Sequence, residues 1–253
     1  MKAPKQRVDL LLVGRGLAPT RAKAQALVLA GKVFVGETRI DKPGVLLPAD
    51  AAVDVRGEDH PYVSRGGVKL AGALDAFAVD PTGMACVDLG ASTGGFTDCL
   101  LQRGAAKVAA VDVGYGQLAH RLRIDPRVLV LERTNAKTLE PEHIGGLADL
   151  VVVDASFIGL GKLAPAIARI TRPGGELVAL VKPQFEVGRE EASRTRGVVR
   201  DEEVRARAIA TAAGDVESAG FRVLATVDST LPGPKGNVEA FVHAKRNDRV
   251  LLG

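Results

Sequence analysis

The sequence predicts an α/β protein with a seven-stranded, mostly parallel sheet whose last strand is antiparallel, preceded by a small α+β domain. From residue 66 onward, strand-like apolar runs alternate with helix-like segments, which is typical of a doubly wound sheet. The last two strand-like runs are joined by the turn 231–236. This turn is too short for a crossover helix, so the final strand should reverse direction. The first 47 residues differ from the rest in charge and pattern.

The composition is that of an ordinary globular protein, with 46% hydrophobic and 25% charged residues. No segment approaches the roughly 20 apolar residues that span a bilayer, and the basic N-terminus lacks the apolar length of a signal peptide. The two cysteines, Cys86 and Cys99, fall in predicted buried elements and indicate a reducing compartment. The histidines lack metal-ligand spacing. We therefore expect a cytoplasmic protein without a metal site.

Positive charge is concentrated at the N-terminus. Residues 1–47 contain nine Lys or Arg and three Asp or Glu, a net charge of +6, whereas the whole chain carries +4. The remaining residues therefore carry about −2 by subtraction. Such asymmetry indicates contact with a polyanion, although a merely solvated face is an alternative.

The N-terminal segment predicts two helices and one or two strands. Residues 7–15 form the first predicted helix, which Gly16 ends, and Thr20 should cap a second helix over residues 21–30. Strands are expected at residues 32–35 and 45–47, and a linker at 48–62. Residues predicted to be available to the core from the second helix are Ala22, Ala26, Leu27, Leu29 and Ala30.

This segment resembles the S4 RNA-binding domain in Arg7-Val-Asp9-Leu-Leu, Gly16-Leu17, Thr20-Arg21-x-x-Ala24 and Ala30-Gly31-Lys32-Val33-x-Val35. The resemblance implies a module of residues 1–60 that grips structured RNA through its basic face, while a plain α+β cap remains the alternative. RNA helices are recognised mainly by shape, phosphates and 2′-hydroxyls. The candidate RNA-binding residues are Arg7, Arg15, Arg21, Lys23 and Lys32.

The second domain, residues 63–253, begins with a predicted helix over residues 66–78. Strands are predicted at residues 84–89, 107–113, 128–132, 150–154, 176–181, 221–227 and 238–244. Helices are predicted at 97–103, 159–170 and 201–219, and a turn at 172–175. Residues 184–200, with Arg189, Arg194, Arg196 and Arg200, are expected to form a long loop beside the site, either closing on RNA or simply solvated.

Polar residues recur where these strands end. Ligands of such sheets bind outside the carboxyl ends of the parallel strands. Glu239 should lie at the same edge because its strand runs backwards, and it should point away from the face shared by its apolar neighbours. The residues expected along this edge are Asp88, Asp112, Asn135, Asp154, Lys182 and Glu239.

A glycine-rich loop joins the first strand of this sheet to a helix, which brings backbone N–H groups towards a ligand. Asp112, which Val113 follows, comes 22 residues after Gly90, a spacing suited to ribose hydroxyls. Both NAD and S-adenosylmethionine sites use such an acid, so the loop does not choose between them. The expected cofactor loop comprises Gly90, Ala91, Ser92, Thr93, Gly94, Gly95 and Phe96.

Two further polar residues have alternative interpretations. We expect Asp88 to contribute to the cofactor site, and its alternative is a structural helix cap. Asn135 is expected to contact adenine, and its alternative is a turn residue.

Four residues resemble the Lys-Asp-Lys-Glu tetrad of RNA ribose 2′-O-methyltransferases: Lys69, Asp154, Lys182 and Glu239. Together with the S4-like start and Gly114-Tyr-Gly-Gln-Leu118, they resemble the TlyA (hemolysin A-like) ribosomal RNA methyltransferase family, whose catalytic domain is FtsJ-like. The resemblance implies a class I, Rossmann-like methyltransferase fold and S-adenosylmethionine as cofactor. It also implies ribosomal RNA and ribosomal subunits as partners. The implied reaction is 2′-O-methylation of cytidine ribose in the large subunit, and in some members also in the small one.

The tetrad suits this reaction because a ribose 2′-hydroxyl must lose its proton to attack a methyl group. A lysine can accept that proton only when its amine is neutral. We expect Lys182 to be this base, with Lys69 nearby and with Asp154 and Glu239 orienting the lysines and the ribose. Asp154 would also lie near the methyl donor. Singly, the four residues could instead be an exposed helix lysine, a strand-end lysine, a turn cap and a surface strand residue.

Three other functions compete with this hypothesis. A non-catalytic RNA-binding assembly factor would not need an intact loop and tetrad. A membrane-active hemolysin would need an amphipathic or spanning apolar segment, and the sequence contains no evident one. A dehydrogenase would normally lack the final antiparallel strand.

Overall fold

The computed structural model describes residues 4–36, 38–55, 60–187, 198–233 and 236–248. Its internal contacts divide the chain into two units, Met1–Asp59 and His60–Gly253. Each unit has its own hydrophobic core.

The described part of the first unit combines two helices with five short strands. Its helices are α1 (Val8–Gly14) and α2 (Arg21–Leu29). Its strands are β1 (Lys5–Arg7), β2 (Val33–Val35), β3 (Thr38–Arg39), β4 (Leu46–Pro48) and β5 (Val53–Val55). They form an antiparallel sheet in the order β3-β2-β5 and a separate antiparallel pair of β1 with β4.

Both predicted N-terminal helices are confirmed, but the predicted core face of α2 is wrong in part. The Thr20 side chain accepts a hydrogen bond from the Lys23 N–H at 3.2 Å, as an N-cap should. The buried face of α2 is Ala24, Leu27 and Val28, whose i, i+3, i+4 spacing defines one side of a helix. Only Leu27 of the predicted core residues is buried. Those on the exposed side are Ala22, Ala26, Leu29 and Ala30.

The linker expected over residues 48–62 contains a strand. Val55 in β5 pairs with Val33 in β2, so this segment completes the first unit's sheet. The strand predicted at 45–47 is β4, and it pairs with β1. Strands of two or three residues are too short to show the alternation that identifies a strand in a sequence. Residues 56–59, also assigned to the linker, lie outside the described residues.

The second unit contains a seven-stranded sheet flanked by helices. Its strands are β6 (Ala85–Leu89), β7 (Lys107–Val111), β8 (Val128–Leu131), β9 (Ala148–Val153), β10 (Thr171–Val181), β11 (Phe221–Asp228) and β12 (Ala240–Arg246). Its helices are α3 (Arg65–Phe77), α4 (Gly95–Gln102), α5 (His120–Arg123), α6 (Ala164–Ile170), α7 (Pro183–Glu186) and α8 (Glu202–Ser218). Short 3-10 turns occupy Ala136–Thr138, Pro141–Ile144 and Leu160–Lys162.

The sheet order is β11-β12-β10-β9-β6-β7-β8. Strands β6 to β10 pair in parallel, and β12 is antiparallel to both β10 and β11. The predicted fold class is therefore confirmed, including the reversal of the last strand. Apolar side chains are buried on both faces of the sheet, as expected for strands covered by helices on each side.

Several element boundaries differ from the sequence prediction. The turn expected at 172–175 is part of β10, where the register shifts between Thr171 and Glu176. The helix expected at 159–170 is a 3-10 turn followed by α6, because Pro165 lies in the first turn of α6 and removes an N–H group. The loop expected at 184–200 begins within helix α7. Its arginines at 189, 194 and 196 lie outside the described residues. No helix in the described segments is long and apolar enough to cross a membrane.

Candidate active site

The loop after β6 depends on glycines at two positions. Gly90 has a φ of 89°, and a Cβ there would lie 2.7 Å from the carbonyl oxygen of Asp154. Gly94, the N-cap residue of α4, has a φ of 96°. Only glycine adopts these angles without strain. The sequence therefore produces a close approach between the β6 loop and the end of β9.

Asp112, at the end of β7, joins two loops through both of its carboxylate oxygens. Oδ2 accepts a hydrogen bond from the Ser92 N–H at 2.7 Å, and Oδ1 accepts one from the Gly114 N–H at 2.6 Å. The Ser92 hydroxyl contacts the Gln117 side chain at 3.2 Å. The carboxylate is thus held in place at the carboxyl edge of the sheet.

A cavity of about 360 Å³ opens at this edge, within the range of small-molecule sites. An adjoining cavity of about 100 Å³ shares Gly90, Ser92 and Asp154 with it. Predicted cofactor residues that line the larger cavity are Gly90, Ser92, Asp112, Val113, Asn135 and Asp154. Those that line the smaller one are Gly90, Ala91, Ser92, Thr93, Gly95, Phe96 and Asp154. Gly94 lines neither cavity.

Asp88 also lines neither cavity. Its Oδ2 accepts hydrogen bonds from the Thr97 N–H at 2.9 Å and from the Thr97 hydroxyl at 2.7 Å. Burial raises the pKa of this carboxyl group to about 7. The structure thus favours the helix-capping interpretation of Asp88. Asn135 lines the larger cavity and also accepts a hydrogen bond from the Lys137 N–H at 3.1 Å.

Lys69 and Glu239 form a buried ion pair. The Lys69 Nζ donates to Glu239 Oε2 at 2.5 Å, and the two residues are only 8% and 1% exposed. Gly233 packs against the other carboxylate oxygen, because a Cβ at this position would lie 2.6 Å from Oε1. The alternative interpretations, in which Lys69 is an exposed helix lysine and Glu239 is a surface strand residue, are therefore wrong.

Lys182 and Asp154 form a second pair, with Nζ and Oδ1 2.6 Å apart. The Lys182 Nζ also donates to the Ser156 hydroxyl at 2.9 Å. Val181 at the end of β10 pairs with Ala240 at the start of β12, so Lys182 and Glu239 follow at neighbouring strand ends. The four predicted catalytic residues thus follow one another as Asp154, Lys182, Glu239 and Lys69. We call this arrangement the catalytic row.

Sequence reasoning missed two residues next to the catalytic row. Ser156 contacts the Lys182 amine, and Ser64 lines the smaller cavity beside Gly95. A Cβ on Gly95 would lie 2.2 Å from the Ser64 hydroxyl oxygen. Ser156 lies two residues after Asp154, the predicted end of this strand, and this proximity was the available signal for it.

The N-terminal arginines predicted to bind RNA make contacts within their own unit. Arg7 and Arg21 donate to the buried Asp9 carboxylate at 2.9 and 3.1 Å. The Arg7 hydrogen bond is the main reason why the pKa of Asp9 lies well below its usual range. Arg15 donates to the carbonyl oxygens of Ala49 and Ala51 at 2.6 Å each. Lys23 is exposed and Lys32 is half-buried.

Within the described residues, no group of three or more His, Cys, Asp or Glu is arranged to hold a metal ion.

The fold and the site together define the class of protein. The glycine loop after β6, Asp112 after β7 and the antiparallel strand β12 are those of a class I, S-adenosylmethionine-dependent methyltransferase.

Comparisons with known proteins extend this result. A family model of FtsJ-like methyltransferases matches residues 62–246, and an S4 domain model matches residues 6–53. The chain therefore belongs to the FtsJ-like methyltransferases, and its 49% identity to a TlyA enzyme over 98% of the chain shows that it belongs to the TlyA family.

Similar proteins cover nearly the whole chain. A 16S/23S rRNA (cytidine-2′-O)-methyltransferase TlyA of Mycobacterium tuberculosis is 49% identical over 98% of this chain and 93% of its own length. YqxC of Bacillus subtilis, named as a candidate rRNA methyltransferase, is 43% identical over 96% of this chain and 86% of its own. A solved structure from Streptococcus thermophilus, described as a candidate hemolysin, is 42% identical, with a TM-score of 0.76 over 97% of this chain and 90% of its own.

Proposed function

We propose that this enzyme transfers a methyl group from S-adenosylmethionine to the 2′-hydroxyl of a cytidine in ribosomal RNA. The observation that carries the proposal is the catalytic row, which reaches both cavities through Asp154 and in which two buried or half-buried lysines each contact a carboxylate. The name of the Mycobacterium tuberculosis relative supports the substrate, since it specifies the cytidine 2′-oxygen of 16S and 23S rRNA. In this proposal residues 1–60 bind RNA and residues 63–253 transfer the methyl group.

The cavity residues fit the proposed cofactor. The Asp112 carboxylate suits ribose hydroxyls, while Val111, Val113 and Ile158 offer apolar surface for a nucleobase next to the Asn135 side chain. The smaller cavity, lined by the backbone of the glycine loop, suits the amino-acid end. When bound, S-adenosylmethionine supplies an electrophilic methyl group on a sulfonium. Asp88 supports this site indirectly by capping α4.

The catalytic row would handle the proton of the 2′-hydroxyl. The Lys182 Nζ, which must be neutral at that moment, would accept the hydroxyl proton as the ribose oxygen takes the methyl group and the methyl carbon–sulfur bond breaks to leave a neutral thioether. Asp154 and Ser156 hold this nitrogen at distances of 2.6 and 2.9 Å. The Lys69–Glu239 pair lies at the other end of the row, where it would orient the ribose. Fixed placement of the reacting groups supplies much of the rate enhancement.

The first unit would hold the RNA through its phosphates. Asp9 fixes the guanidinium groups of Arg7 and Arg21 beside each other, while 41% and 55% of their side-chain surfaces stay exposed. Arg15, Lys23 and Lys32 would add charge to this face. Both ribosomal subunits are proposed as substrates, because the relative named above acts on 16S and 23S rRNA. The enzyme would therefore work in the cytoplasm.

The test incubates purified protein and methyl-labelled S-adenosylmethionine with unmodified 30S subunits, 50S subunits and bare ribosomal RNA. We expect incorporation by the unchanged protein, its loss in Lys182→Ala and its retention in Arg207→Ala. Arg207 is a suitable control because its side chain is 66% exposed on α8. Cofactor binding without labelling of any substrate would contradict the proposal and favour a non-catalytic assembly factor.

A further inference from the structure

The backbone that carries Glu239 lies where the regular hydrogen bonds between β11 and β12 end. Strand β12 begins one residue later, at Ala240. The Glu239 carbonyl oxygen accepts a hydrogen bond from the Ser229 N–H at 2.8 Å. The preceding carbonyl oxygen, that of Val238, accepts one from Arg205 Nε at 3.1 Å. Glu239 itself is held by the residue that follows β11, and the peptide group before it is held by a side chain from another element.

Arg205 lies on α8 and its side chain is only 10% exposed. One terminal nitrogen donates to Glu202 Oε1 at 2.7 Å, and the other donates to Asp228, the last residue of β11. These two carboxylates balance the guanidinium charge. The planar guanidinium group makes all three contacts at once, which a lysine ammonium at the end of a flexible chain does less well. Arg205 thus joins α8, the end of β11 and the peptide group before Glu239.

We propose that Arg205 is a positioning residue for the Lys69–Glu239 pair, an inference that rests on the function proposed above. The Val238 carbonyl group and the Glu239 nitrogen belong to the same peptide group. A shift of this peptide group therefore moves Glu239 directly. Gly233 closes off the space on the Oε1 side of the Glu239 carboxylate, which limits how the side chain can compensate.

The inference predicts a specific kinetic effect. Displacement of a catalytic group by a fraction of an ångström lowers the rate of the chemical step more than it lowers binding. We expect Arg205→Ala to lower the single-turnover rate by roughly 10- to 100-fold. The KM for ribosomal subunits and the Kd for S-adenosylmethionine should change by no more than about twofold, since Arg205 lines neither cavity.

Two more variants separate positioning from folding. Arg205→Lys keeps the charge and most of the buried stem, and it should recover part of the rate because it can still reach one of the three acceptors. Gly233→Ala introduces a methyl group 2.6 Å from Glu239 Oε1 without removing any charge. It should therefore reproduce the rate loss of Arg205→Ala. Arg207→Ala, two residues further along α8, is the matched control.

The experiment measures single-turnover methylation of unmodified 50S subunits, cofactor binding by calorimetry, and the thermal midpoint of each variant. A rate loss in Arg205→Ala and Gly233→Ala with unchanged cofactor binding, and partial recovery in Arg205→Lys, supports the inference. If the unchanged protein is active and the Arg205 variants match Arg207→Ala, the inference is wrong. The inference is also wrong if Arg205→Ala lowers cofactor binding and the methylation rate together. If Arg205→Ala does not fold, the rates and cofactor affinities of Arg205→Lys and Gly233→Ala decide whether the inference holds. An inactive unchanged protein would instead contradict the proposed function.

Discussion

Replacing Lys69 with methionine tests whether Lys69 and Glu239 form a coupled buried ion pair. Methionine keeps most of the apolar stem but removes the ammonium group, so that the Glu239 carboxylate, 1% exposed, loses its partner at 2.5 Å. Breaking a buried pair in this way costs about 3–5 kcal/mol. Since a domain of this size loses roughly 2–4 °C per kcal/mol, the midpoint of the second unit should fall by about 6–20 °C.

The double variant Lys69→Met/Glu239→Gln provides the control. It removes both charges, so no uncompensated carboxylate remains, and most of the lost stability should return. Methylation should be lost in the single and the double variant alike, because the catalytic row is incomplete in both. Stability and activity would thus separate.

The assay is differential scanning calorimetry at pH 7.5, with methylation of 50S subunits measured on the same preparations. If Lys69→Met has the same melting midpoint as the unchanged protein, the buried ion pair is refuted. A double variant no more stable than the single one would show that the two charges are not coupled.

The contacts made by Gly90, by Asp88 and by the Arg7 and Arg21 side chains can each be tested by substitution. Gly90→Ala should weaken S-adenosylmethionine binding at least about tenfold by calorimetry, because the new methyl group would lie 2.7 Å from the Asp154 carbonyl oxygen at a φ of 89°; unchanged affinity would contradict this loop geometry. Burial raises the pKa of Asp88 to about 7. As pH rises from about 4 to 7, the carboxyl ionises in the unfolded chain but stays protonated in the folded one, so the unchanged protein loses stability. Asp88→Asn has no such carboxyl and should therefore gain stability relative to the unchanged protein across this range. A melting-temperature difference independent of pH would contradict the shift. Replacing both Arg7 and Arg21 with alanine should weaken RNA binding. It should also make the slope of log affinity against log salt concentration shallower, by the amount expected for about two lost phosphate contacts. An unchanged slope would show that these residues do not contact the RNA.

The sheet topology could be predicted from the sequence because its signals are local. Apolar runs such as residues 84–89 and 150–154 are long enough to identify buried strands, and the turn before Glu239 is too short for a crossover. Strands β2 and β4 are as short but contain apolar runs, whereas β1, β3 and β5 were missed because they combine this shortness with polar residues and carry no periodic signal. Their pairing depends on contacts across the first unit, such as that of Val33 with Val55.

The strand ends predicted a common edge for Asp154, Lys182 and Glu239, whereas Lys69 and the grouping of all four residues were predicted through a family resemblance. Lys69 and Glu239 are 170 residues apart in the chain, and nothing local to either residue indicates an ion pair. The role of Asp88 depends on which N–H group its carboxylate reaches, and Thr97 provides that group only once α4 has formed. Arg205 likewise looks like one charged residue among many on α8 until the fold brings Val238 to it.

The central claim is tested most directly by identifying the methylated nucleoside. Unmodified 50S subunits are incubated with the enzyme and methyl-labelled S-adenosylmethionine, and the RNA is digested to nucleosides and analysed by mass spectrometry. The account predicts labelled 2′-O-methylcytidine with the unchanged protein and with Arg207→Ala, and none with Lys182→Ala. Label on a base, or 2′-O-methylcytidine formed equally well by Lys182→Ala, would contradict it.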